Sequence, residues 1–158
     1  DRPLSVQRIT EAMGDIDPEI VGILLTELRD EIAATTVPFR LRDIAGGFQL
    51  TTEAQFAPFI RRLFQIKKKN KLSKAVLETL AIVAYRQPVT RPDVEAIRGV
   101  SVSHAFNLLQ ERRLIKAVGI ADVPGHPRLY RTTEEFLLHF GLKDIAEMPT
   151  IEELREMN

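Results

Sequence analysis

The chain has 158 residues, with 22 Lys and Arg offset by 22 Asp and Glu, so its formal net charge is zero. This length suits one ordinary domain or two small ones with thin cores, and the charge balance withholds the overall basic excess on which a dedicated DNA binder relies. The absence of cysteine excludes a disulfide scaffold, a thiol nucleophile and Cys-ligated zinc, and no apolar run approaches the ~18 residues of a transmembrane helix.

No signal-peptide pattern is visible, so a cytoplasmic location is expected. The chain opens on Asp1 rather than Met, and further N-terminal sequence is expected before it. Residues Ser5 to Met13 read as a short helix. Asp17-Pro18 opens a longer one, with Asp as N-cap and Pro at the first helical position, running to about Ala34. Val21, Leu24, Leu25, Leu28 and Ile32 recur at helical spacing and are its expected core stripe. Phe39 to Ala45 alternates apolar and basic residues as a strand, Gly46-Gly47 is a hairpin turn, and Phe48-Gln49-Leu50 returns. Thr52 with Gln55 has the spacing of a capping box for a helix from Glu53 to Phe64.

The lysine run at 67–71 is the one clear break in composition and is read as a domain boundary. Beyond it, Ser73 to Arg86 is helical and apolar around much of its circumference (Val76, Leu77, Leu80, Ala81, Val83, Ala84), so it is expected to be buried. Thr90 and Asp93 cap a short helix ending near Gly99, and Ser101 or Ser103 opens another that ends near Arg113. Leu114 to Ile120 is a strand, Asp122 to Pro127 a turn-rich loop, and Leu129 to Arg131 the return strand. Thr132 with Glu135 repeats the capping-box spacing before a helix from Glu134 to Phe140.

One layout is written twice. Pro3-Leu4-Ser5 parallels Pro88-Val89-Thr90, Gly14 parallels Gly99, Leu24-Leu25-Thr26-Glu27 parallels Leu108-Leu109-Gln110-Glu111, and Thr51-Thr52-Glu53 parallels Thr132-Thr133-Glu134. The offset stays between about 81 and 85 residues, as an internal duplication requires. The repeated unit is helix, helix, β-hairpin, with a leading helix in the second copy, which is a winged helix. The fold class is therefore mainly α with small β-hairpin wings (α+β), in two tandem winged-helix domains. Residues 1–65 form the first, 66–72 a basic linker, 73–142 the second, and 143–158 a C-terminal tail with a short helix. The first copy should also have a leading helix, which would lie before Asp1.

No catalytic constellation emerges. There is no Gly-rich loop followed by Lys and Ser or Thr, and Gly46-Gly47 serves a turn. His104, His126 and His139 lie in three different elements without ligand spacing, so neither metal nor cofactor is expected. The acidic Asp15, Asp17 and Glu19 sit where a helix N-terminus favours them. DNA recognition is the usual work of this motif. The first candidate recognition helix, however, carries Asp17, Glu19, Glu27, Asp30 and Glu31 against one Arg29, and phosphate would repel it. The second has the base-reading types Asn107 and Gln110, but its Arg112 and Arg113 lie at the C-terminal end, where the helix dipole explains them. Protein binding fits better. Ile16, Ile20 and Ile23 form a second apolar stripe beside the core stripe of the helix opened by Asp17, to be covered by a leading helix or by a second subunit. Val102 and Phe106 similarly flank Ala105, Leu108 and Leu109, where core packing is the simpler role.

From Leu72 onward the residues resemble those of the segregation and condensation protein B family. The stretch Leu72-Ser73-Lys74-Ala75-Val76 through Ala84-Tyr85-Arg86-Gln87-Pro88-Val89-Thr90 carries the likeness. So do Glu95-Ala96-Ile97-Arg98-Gly99-Val100-Ser101, Asp122-Val123-Pro124-Gly125-His126-Pro127 with Tyr130 and Thr132-Thr133, and the Ala45 to Leu50 hairpin. The resemblance implies a non-enzymatic adaptor that dimerises through its first domain. It implies binding to the kleisin subunit, segregation and condensation protein A, and through it to the structural-maintenance-of-chromosomes ATPase, in cytoplasm and on the nucleoid, with DNA met only indirectly or weakly and no membrane. The dimer surface would be Ile16, Ile20 and Ile23. The kleisin surface would be Tyr85, Arg86, Gln87, Arg91, His104 and Phe106, an aromatic and arginine-bearing stretch of the kind that anchors interfaces. The rival class is a winged-helix DNA-binding transcriptional regulator.

Overall fold

Ser5 and Asp17 begin the two helices the sequence assigns to them. The Ser5 hydroxyl accepts from the Arg8 amide at 3.2 Å and opens α1, Val6–Met13. The Asp17 carboxylate accepts from the Glu19 amide at 2.8 Å and opens α2, Pro18–Ala34. Both caps satisfy an amide that a helix start leaves without an internal partner. The structure, a computed structural model, describes residues 2–14, 16–65 and 71–156. Most of the basic linker read at 66–72 therefore lies outside the described residues.

After α2 the chain forms an antiparallel hairpin, β1 (Phe39–Ile44) and β2 (Gly47–Thr52), with Phe39 opposite Thr52 and Ile44 opposite Gly47. Ala45 and Gly46 both have positive φ, as a tight right-twisted hairpin turn needs. Leu4 joins this hairpin: its amide and carbonyl exchange 2.9 Å hydrogen bonds with those of Phe48. That approach explains Gly47. A Cβ there would lie 2.9 Å from the Leu4 carbonyl carbon and oxygen. Thr52 stays in the ladder opposite Phe39, so the capping box expected with Gln55 does not form. A 3-10 turn at Ala54–Phe56 follows, and α3 (Ala57–Leu63) begins only beside Pro58, whose missing N–H suits a helix start. One continuous helix from Glu53 to Phe64 was expected, and it is divided at this point.

The second half opens on α4, Lys74–Arg86, capped by the Ser73 hydroxyl. It buries Val76, Thr79, Leu80, Val83 and Ala84, while Leu77 and Ala81 face solvent, so it is covered along one side rather than all round. After a cis Gln87-Pro88 peptide comes β3, Val89–Thr90, a strand absent from the sequence reading. The Thr90–Asp93 capping box forms as read: the Thr90 amide donates to Asp93 and the Asp93 amide to the Thr90 hydroxyl, and α5 (Arg91–Arg98) ends at a left-handed Gly99. Next is α6, Ser103–Glu111, whose entrance is held by Glu95, accepting from the Val102 amide and the Ser101 hydroxyl. Strands β4 (Ile115–Ile120) and β5 (Arg128–Thr132) form the wing, and β3 pairs on the far side of β5, giving the order β3-β5-β4. In α7, Glu134–Phe140, the cap is Thr133, accepting from the Phe136 amide. Thr132, read as that cap, instead points its hydroxyl at Gln87.

The remaining chain, expected as a tail beyond the second domain, belongs elsewhere. Among the described residues, 141–156 group with those up to 65 as one unit, and 71–140 form the other. The Ala45 and Gly46 amides at the hairpin turn donate to the Leu142 and Lys143 carbonyls at 2.8 and 3.2 Å. The Lys143 ammonium lies 2.7 Å from Asp43, and the hydrogen bond and charge of that carboxylate raise its pKa. A 3-10 turn at Ile145–Glu147 and a last helix, α8 (Ile151–Glu156), follow. Thr150 and Glu153 cap α8 reciprocally, and the Thr150 amide holds the Glu153 carboxyl below its ordinary range.

Two glycines give opposite expectations. Gly47→Ala should lower stability by about 1–3 kcal/mol, since the new methyl meets fixed backbone. Gly22→Ala, in the α2 interior with nothing within 4 Å of its added Cβ, should raise it by about 0.5–1 kcal/mol. Urea titration of the two variants followed by circular dichroism tests the pair.

Candidate partner-binding surfaces

In the first unit the determining element is α2. It packs against α1 and β1 and buries Val21 fully, with Leu25 and Ile32 partly covered. Its opposite side is open. Ile20 is 51% exposed, Ile23 55%, Leu24 48% and Leu28 43%. Ile20, Leu24 and Leu28 are four residues apart, so they stand one above the other on one face. The sequence placed Leu24 and Leu28 in the core and Ile16, Ile20 and Ile23 outside. The structure moves Leu24 and Leu28 to the open stripe and half-buries Ile16. Helical period alone could not decide this, because α2 is apolar over more than one face and the period does not say which one a neighbour covers. Helix α3 adds exposed Phe59 and Leu63, and its C-cap adds exposed Phe64, none of which the sequence reading singled out.

In the second unit the named residues separate into two groups. Arg86 at the end of α4, Arg91 at the start of α5 and His104 in the first turn of α6 are exposed, and Tyr85 is half-buried. Phe106 is 1% exposed and meets the Tyr130 ring edge-on, with centroids 5.0 Å apart. It therefore belongs to the core with Leu80, Leu109 and Ile115 and leaves the proposed surface. Gln87 is also committed internally. Its side-chain oxygen accepts from the Thr132 amide at 2.7 Å and the Thr132 hydroxyl at 2.9 Å, and its NH2 donates to the Ala84 carbonyl at 3.1 Å. This amide ties the end of α4 to β5, a positioning role that no sequence spacing reveals. Arg98 ties α5 to α4 in the same way, donating to the Ala75 carbonyl and pairing with Glu78.

Among the described residues, no group of three or more His, Cys, Asp or Glu is placed to hold a metal ion. No helix among them is long and apolar enough to cross a membrane.

The family model for the segregation and condensation complex subunit ScpB matches residues 1–151. The chain belongs to this family. It is 51% identical over 154 residues to segregation and condensation protein B of Clostridium tetani, covering 98% of this chain and 81% of that protein. The Desulforamulus reducens protein of the same name is 46% identical over 151 residues, covering 96% and 82%. Among solved structures, ScpB from Mycobacterium tuberculosis aligns with 37% identity, a TM-score of 0.46 and coverage of 90% of this chain and 88% of that one. Family membership makes the chain a subunit of a complex for chromosome segregation and condensation, and the mixed α and β architecture with two small sheets agrees with the fold read from the sequence.

Placing Phe106 in the core has a measurable consequence. Phe106→Ala should cost about 3–5 kcal/mol, as truncations of buried aromatic residues do. His104→Ala, two residues away and exposed, should stay within about 0.5 kcal/mol of the parent. Equilibrium denaturation of both variants provides the check.

Proposed function

We propose that this ScpB family member is a non-enzymatic adaptor that acts as a homodimer and seats the kleisin subunit, segregation and condensation protein A, linking it to the structural-maintenance-of-chromosomes ATPase on the nucleoid. The observation that carries this reading is the open stripe of Ile20, Ile23, Leu24 and Leu28 on α2. Contiguous apolar surface of this kind, rimmed by the exposed Glu19, Glu27 and Glu31, is the usual mark of a protein–protein interface. The dimer stripe is thus Ile20, Ile23, Leu24 and Leu28, with Ile16 at its half-buried edge. The kleisin surface is Arg86, Arg91 and His104 beside Tyr85, while Gln87 and Phe106 support it from within. ATP hydrolysis is assigned to the ATPase, in keeping with a sequence that lacks a P-loop.

Two experiments test the two halves of this reading. Ile20→Glu with Leu24→Glu should convert the dimer to a monomer by multi-angle light scattering without loss of helical signal; a variant that remains dimeric rejects the α2 interface. Arg86→Glu with Arg91→Glu should leave the melting temperature nearly unchanged. The same pair should weaken binding of a kleisin fragment at least ~tenfold, about 1.4 kcal/mol. Unaltered kleisin affinity in a pull-down titration would show that this surface is not the seat.

A further inference from the structure

The neutrality of the chain is a cancellation. Residues 70–140 carry ten Lys and Arg against seven Asp and Glu, whereas the other unit carries twelve against fifteen. The basic excess therefore lies in the second unit, and part of it stands on the wing. Lys116 in β4 and Arg131 in β5 are direct cross-strand partners. The preceding rung, Ile115 opposite Thr132, is buried, so the alternation of strand side chains turns Lys116 and Arg131 outward together, and both are exposed. Arg128 stands exposed at the wing tip opposite Ile120.

Like charges placed directly opposite each other destabilise a sheet. Among the described residues no carboxylate pairs with Lys116, Arg128 or Arg131, in contrast to Arg98, which Glu78 neutralises. A lysine on an edge strand commonly guards against edge-to-edge association, which accounts for Lys116. It does not account for Arg131, because β5 is the central strand between β3 and β4. The neighbouring helix supplies the second half of the argument. Helix α6 leads into β4 and exposes Asn107 and Gln110, neutral hydrogen-bonding side chains. Its counterpart α2 exposes Glu19, Glu27, Asp30 and Glu31. Only the second copy of the layout thus pairs a helix without phosphate-repelling charge along most of its exposed face with a cationic ribbon.

We propose that the wing of the second unit, through Lys116, Arg131 and Arg128, contacts the phosphate backbone of duplex DNA weakly and without sequence preference. The contact is separate from the adaptor role and does not depend on it. A polyanionic backbone satisfies both exposed cations of the cross-strand pair at once, and the hydrogen-bonding face of α6 favours a nucleic acid over an acidic polypeptide. In a helix-turn-helix arrangement such backbone contacts position the protein and carry no sequence information.

The test is fluorescence anisotropy of a labelled mixed-sequence 30-base-pair duplex titrated with the full chain at several salt concentrations. Binding should be measurable at low salt and weaken steeply as salt rises. Lys116→Gln with Arg131→Gln should reduce affinity at least ~tenfold and flatten the slope of log affinity against log salt by about 1.8, since each lost phosphate contact removes about 0.9. Arg61→Gln with Arg62→Gln, on α3 of the other unit, should leave both within twofold. The melting temperature of the wing variant should not fall, because the substitution removes a repulsion. If the double variant does not fold, the single variants should each flatten the slope by about 0.9. Absence of binding by the parent chain at low salt, or an unchanged slope in the wing variants, overturns the proposal. So does displacement of the duplex by an equal charge of polyglutamate, which would mark an acidic-protein surface instead.

Discussion

A long helix in a small unit can be covered on one face by its neighbours while the other remains open, and the first unit is built around that constraint. The 17 residues of α2 carry apolar side chains on more than one face. Helix α1 and strand β1 pack against α2, and among the described residues the buried apolar side chains of this unit are few: Val21, Leu41 and Ile44. Each approach in so thin a core has a large effect. Leu4 pairs with Phe48 only because Gly47 has no side chain, and the segment from Leu142 to Lys143 closes on the turn at Ala45 and Gly46. What the core cannot cover, it leaves as the apolar stripe on which the dimer reading rests.

The second unit solves the same problem differently. Helices α4, α5 and α6 and a three-stranded sheet enclose Leu80, Val83, Val94, Phe106, Leu109 and Ile115. Polar side chains then fix the elements against one another: the Gln87 amide joins the end of α4 to β5, Arg98 joins α5 to α4, and Glu95 closes the entrance of α6. This unit also keeps apolar side chains at its surface, among them Ile97, Val100 and Ile120, and sets exposed cations on the same exterior. Arg86 and Arg91 stand near the α4–α5 junction, and Lys116 and Arg131 stand on the wing. One duplicated layout therefore presents exteriors of opposite charge, with an acidic excess in the first unit and a basic excess in the second.

The candidate surfaces were only partly legible beforehand. Arg86, Arg91 and His104 are exposed where sequence reasoning put them. Phe106 stands in the sequence both as a core residue and as a surface candidate, because an aromatic residue in a helix serves either until its neighbours are known, and burial decides for the core. Gln87 looked like a surface residue because its partner, Thr132, lies 45 positions away. The cross-strand pairing of Lys116 with Arg131 likewise required the register of the wing.

Local chemistry was determined by the sequence alone. The caps at Ser5, Asp17, Ser73 and the Thr90–Asp93 box, the turn at Gly46 and the left-handed stop at Gly99 each depend on residues within a few positions of one another, so their physics is complete in the sequence. The duplicated helix, helix, hairpin layout followed from the same signals. Tertiary structure decided everything that depends on which face is covered and by what. It exposed Leu24 and Leu28, added β3 to the edge of β5, shifted a cap from Thr132 to Thr133 because Gln87 claims the former, and returned residues 141–156 to the first unit. Periodicity reports that a helix or strand has an apolar side. It carries no information about the distant backbone that meets that side, because burial is a property of pairs of surfaces and not of either one alone.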